Sequence, residues 1–97
     1  MEKIIISVQT TNPALKADLR EPTTKEFKRS GRGLLAAVKW ADDYRRTLIA
    51  AQGNLSNPRV TLTIDGAKCD FDGIKLDLMG DPTVKNAENI LAANYEI

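Results

Sequence analysis

The sequence predicts a single α+β domain spanning residues 1–97, with a four-stranded, mostly antiparallel sheet and helices packed on one face. Three observations predict it. The chain opens on a β-branched run, its centre keeps an apolar phase of helical period, and a later stretch sets two Asp-Gly dipeptides among alternating apolar residues. The expected order is β-α-β-β-β-α.

In the opening run, "KIIISVQTT", Ile4, Ile6 and Val8 share one face and Ile5, Ser7 and Gln9 the other. That is a strand, expected at a sheet edge and parallel to its neighbour because a long helix would cross over after it. Asn12 and Pro13 suit the cap and first position of a short helical turn, which Pro22 closes.

The central segment contains "KEFKRSGRG", residues 25–33, with four basic side chains and two glycines. A helical wheel from Leu34 onward puts Leu34, Ala37, Val38, Ala41, Tyr44 and Leu48 on one face. Extended backwards, the wheel carries Phe27 on that face, and Thr23 and Glu26 have capping-box spacing. The phase favours one helix from about Lys25 to Gln52; a break at Gly31 to Gly33 is the alternative. "KEFKRSGRG" lacks P-loop spacing and, on this reading, does not follow a strand.

Further on, Asp65-Gly66 and Asp72-Gly73 both suit two-residue hairpin turns, which need positive φ. The first would pair Ile64 with Ala67, Leu62 with Cys69 and Val60 with Phe71. The second would pair Phe71 with Ile74, Cys69 with Leu76 and Ala67 with Leu78. Asp70 would then oppose Lys75, and Lys68 oppose Asp77. The other side of the sheet, with Thr61, Thr63 and these charges, would be wet or meet another copy. Asp81 as cap and Pro82 as first residue begin a last helix, with Val84, Ala87, Leu91 and Tyr95 on its apolar side.

Net charge is only +1, but it is uneven. Residues 20–46 hold eight basic against four acidic side chains, and residues 65–97 three against seven. The strongest functional candidate is the stripe of Lys28, Arg32, Lys39 and Arg46, within about 40° on the wheel and flanked by Lys25 and Arg29. Such a stripe could follow phosphates, although Asp42 and Asp43 interrupt it, and the bland alternative is a solvated helix face. Arg45 falls on the apolar side, so it either snorkels or anchors an anion. Trp40 and Tyr44, one turn apart, could stack a base, centre a subunit contact or pack in the core.

The chain has no histidine, which removes the usual nucleophile–base pairs and zinc sites. Asp65, Asp70, Asp72 and Asp77 do not follow a calcium-loop pattern, so no metal or cofactor is expected. Cys69 is the single cysteine and reads as a core thiol, in a reducing compartment. With no apolar run of about 18 residues and no cleavage pattern, neither a membrane span nor a signal peptide is expected. The reading is a cytoplasmic, non-enzymatic binding module for nucleic acid or a nucleotide, of the kind found among phage accessory proteins. The alternative is a protein-interaction module, an inhibitor or a homo-oligomer, using the aromatic flank and a sheet edge.

Overall fold

The structure, a computed structural model, describes residues 3–10, 21–52 and 58–93. Its order is β1 (Lys3–Thr10), β2 (Thr23–Lys28), α1 (Gly31–Gln52), β3 (Pro58–Ile64), β4 (Ala67–Cys69), α2 (Phe71–Gly80) and α3 (Val84–Ala93). The α+β class and the four-stranded sheet hold, but different segments build them. The expected turn at Asn12 and Pro13 lies outside the described residues.

β1 is a central strand, antiparallel to both neighbours, in the sheet order β2-β1-β3-β4. The expected edge position and parallel pairing fail because a strand, not a crossover helix, is the next described element. Ile4, Ile6 and Val8 point inward as expected, and each is at most 1% exposed. Their partners on β2 are Phe27, Lys25 and Thr23, and on β3 Ile64, Leu62 and Val60.

The long helix from Lys25 is therefore corrected. Thr23 and Glu26 form no capping box: Thr23 Oγ1 meets the Tyr44 hydroxyl at 2.9 Å, and Glu26 pairs with Lys3. α1 starts instead at Gly31, capped by Ser30, whose Oγ accepts the Gly33 N–H at 3.0 Å. Phe27 kept phase with Leu34 because both face the same core, one from a strand and one from a helix. Gly33 is explained by close approach, since a Cβ there would lie 1.8 Å from the Lys28 carbonyl oxygen.

The first Asp-Gly hairpin forms but ends at Cys69, so the expected Val60–Phe71 pair is lost because Phe71 starts α2. Asp65 and Gly66 have φ of 52° and 85°, and Ile64 pairs with Ala67 and Leu62 with Cys69. The second does not form: residues 71–80 are helix α2. Phe71, Ile74 and Leu78 recur at helical spacing and enter the core, while Leu76, expected inward, is 69% exposed. The expected cross-strand charge pairs are replaced, with Lys75 reaching Asp42 and Asp77 accepting from the Asn86 amide.

α3 is capped by Thr83 and not Asp81; Thr83 Oγ1 accepts the Asn86 N–H at 3.1 Å. Asp81 instead ends α2, its N–H bonding the Asp77 carbonyl. Ala87 and Leu91 are buried on the expected face together with Ile90, but Val84 is exposed and Tyr95 lies outside the described residues. The helices cover one side of the sheet. The other side presents Ser7, Thr24, Thr61, Thr63 and Lys68, half-buried or exposed. Among the described residues, no helix is long and apolar enough to cross a membrane.

Candidate functional site

Seven residues make about two helical turns, so Arg32, Lys39 and Arg46 fall in line along α1. All three are exposed. Lys28 drops out of the line because it belongs to β2, where the alternation turns it to the open face of the sheet. Among the described residues no carboxylate pairs with Arg32 or Lys39. Arg46, its side chain 74% exposed, meets Asp42 at 2.9 Å.

The start of α1 is closed to an anion by the protein itself. Glu88 of α3 reaches across, and its Oε1 accepts the Gly31 N–H at 2.8 Å. A helix N-terminus favours negative charge, and here an internal carboxylate supplies it. Gly31 permits this approach, because a Cβ would stand 2.7 Å from the Val84 carbonyl oxygen. "KEFKRSGRG" thus follows the pattern strand, turn, helix, against the sequence reading, and its glycines serve chain packing. Arg29 completes the turn with Nε 2.6 Å from Asp65 Oδ2, out of line for a hydrogen bond and so a charge contact.

Asp42 is the hub of the opposite stretch. Its Oδ1 accepts from Lys75 Nζ at 2.7 Å and Arg45 Nη2 at 3.0 Å, and its Oδ2 faces Arg46. The hydrogen bond from Lys75 does most to hold its carboxyl below the usual aspartate range. Burial opposes that, and the Arg45 bond and the charges of Lys75 and Arg46 add to it. Arg45 is spent on internal contacts, lying 5.8 Å over the Phe71 ring besides its bond to Asp42. It ties α1 to α2.

Trp40 and Tyr44 lie on the other flank of α1. Their rings stack at 5.4 Å, Trp40 meets Phe27 at 6.3 Å, and Lys25 Nζ sits over both Phe27 and Trp40. Together they cover the inner side of β2. The structure therefore does not unite the aromatic pair with the basic line; about 100° of wheel separates Trp40 from Lys39.

The basic line instead borders a groove of about 290 Å³ between α1 and α2. Leu35, Val38, Leu78, Met79 and Pro82 form its apolar part, and Lys39, Asp42, Arg46 and Lys75 its polar part. Sequence reasoning missed Lys75, Leu78 and Met79 as groove residues because it laid this segment on a strand, and it passed over Leu35, which lies off the apolar face it drew for the central helix. The helical spacing of Phe71, Ile74 and Leu78 was the available signal. A second cavity, about 360 Å³, lies under β4 beside the buried Cys69, and the paired Arg29 and Asp65 are among its lining residues.

Fold and face together define a small α+β domain with a cation-bordered apolar groove on its helical layer. The chain matches no protein-family model, no curated protein and no solved structure.

Proposed function

We propose that the protein is a non-enzymatic binding module that takes an anionic partner along the exposed face of α1. One observation carries the reading: Arg32, Lys39 and Arg46 stand in line on an exposed helix face, and Arg32 and Lys39 form no ion pair among the described residues. Cations without partners are cheap to bring to an anion, since no internal pair must break first. Two carboxylates adjoin this face: exposed Asp43, four residues after Lys39, and Asp42, which is held ionised by three cations and so is a poor proton acceptor. Nucleic acid and nucleotides are the ligand classes the basic line suggests from sequence, and a cytoplasmic setting suits the lone thiol of Cys69.

The test is salt-dependent retention on immobilised heparin, with oligonucleotide and nucleotide titrations alongside. The double variant Arg32→Glu/Lys39→Glu should elute at clearly lower salt than the parent. Arg59→Glu/Lys68→Glu, which reverses two charges on the open sheet face, should change elution much less. Retention that follows the sheet-face variant and ignores the α1 variant would refute the reading. Light scattering on the same samples reports whether the protein is a homo-oligomer.

A further inference from the structure

We infer that the α1–α2 groove is the docking site for an acidic amphipathic helix of a partner protein. This rests on the reading of α1 as an anion-facing surface and names the partner for that surface. The floor is the first argument. Leu35, Val38, Leu78 and Met79 line it, and Met79 remains 68% exposed. A phosphate backbone has no use for such a floor, whereas the apolar stripe of a helix is matched to one. Methionine adapts its shape to an incoming side chain, which suits a docking floor.

Charge is the second argument. Lys39, Arg46 and Lys75 border the groove against Asp42 alone, so its field is positive and selects a carboxylate-bearing partner. Lys39 and Arg46 are two turns apart, about 10 Å along α1, the interval between carboxylates seven residues apart on a second helix. Size is the third. At about 290 Å³ the groove is at the lower end for ligand pockets, enough for two or three side-chain anchors. Base stacking is also unsupported there, because Trp40 and Tyr44 serve the opposite flank.

The probe is a fluorescein-labelled helical peptide of about 16 residues, with leucines at i, i+3, i+7 and i+10 and glutamates flanking them. A second peptide keeps the glutamates and replaces leucine by glutamine, and a third probe is an oligonucleotide of equal charge. Anisotropy titrations of the full chain should show the leucine peptide binding at least about tenfold more tightly than either control. Met79→Gln should weaken that peptide by about tenfold and leave heparin retention unchanged, because it removes an apolar contact and no charge. Lys39→Glu should weaken both. Far-UV circular dichroism checks that the variants fold.

Equal binding of the two peptides, or tighter binding of the oligonucleotide, would overturn the amphipathic-helix partner while the anion reading stands. No binding of any probe, with heparin retention indifferent to Arg32→Glu/Lys39→Glu, would overturn both. A self-associated protein that Met79→Gln converts to monomer would show a second copy in the groove and also overturn the inference.

Discussion

The two flanks of α1 are built from the same helix and treat their surroundings in opposite ways. On the β2 flank, Trp40 and Tyr44 stack on each other, Phe27 and Lys25 complete the cluster, and the Tyr44 hydroxyl bonds Thr23. Every group there has a partner inside the molecule. On the α2 flank, Arg32 and Lys39 have none among the described residues, Met79 is exposed, and Asp42 alone answers several cations. The difference teaches which residues stabilise and which are left for something else. Aromatic area hidden between strand and helix is worth kilocalories to folding; exposed charge on a helix is worth little.

Four substitutions probe that contrast, and the largest effect falls on the closed flank. Gly33→Ala places a methyl 1.8 Å from the Lys28 carbonyl oxygen, so the strand-to-helix turn must move. A loss of roughly 3 kcal/mol or more in urea unfolding is expected, and a change below 1 would show that the turn adapts. Trp40→Ala comes next, at about 3 kcal/mol, with heparin retention unaltered. If retention fell with it at unchanged fold content, the two flanks would not be separate in function.

Asp42→Asn addresses the open flank at its hub. The expected cost is about 2 kcal/mol, less than for a fully buried pair because Arg46 is largely exposed. The sign with pH follows from the lowered pKa. The stabilisation is present above the ordinary aspartate value, near pH 4, and is lost as pH falls through the folded value. The parent should therefore lose stability below about pH 4 more steeply than Asp42→Asn, and parallel acid limbs would remove Asp42 as the cause. Anion affinity should rise in this variant, since a carboxylate has left the groove. The smallest effect on folding belongs to Lys39→Glu, within about 0.5 kcal/mol, although anion binding is expected to fall severalfold. A stability loss of the same size as the binding loss would mark Lys39 as structural.

Two Asp-Gly dipeptides show where local pattern stops being sufficient. Asp65-Gly66 turns a hairpin because β1 already pairs with β3, and the inward residues Leu62 and Cys69 then have a core to enter. Asp72-Gly73 has the same chemistry but lies inside α2, where Asp72 sits in the favourable first turn. Ile74, Leu76 and Leu78 fit a period of two, whereas Phe71, Ile74 and Leu78 fit a period near 3.6. What decided between them is that Phe71, Ile74 and Leu78 meet the same core as Leu34 and Ala41, and a helix of nearly three turns reaches it from β4. The basic line was legible in part, because Arg32, Lys39 and Arg46 are related within one helix. Lys28 was not, since its phase was borrowed from a helix it does not join.

Short-range relations were written in the residues themselves: the inward face of β1, the Asp65-Gly66 turn, and the apolar and basic faces of α1 from Leu34 onward. Each depends on neighbours a few positions apart, for which chain geometry leaves one economical arrangement. The tertiary structure alone decided that residues 23–28 pair with β1, that residues 71–80 coil, and that Lys75 meets Asp42 beside an apolar floor. Those outcomes depend on which distant surfaces are available to be covered, and burial energy between remote segments outweighs the local preferences of either.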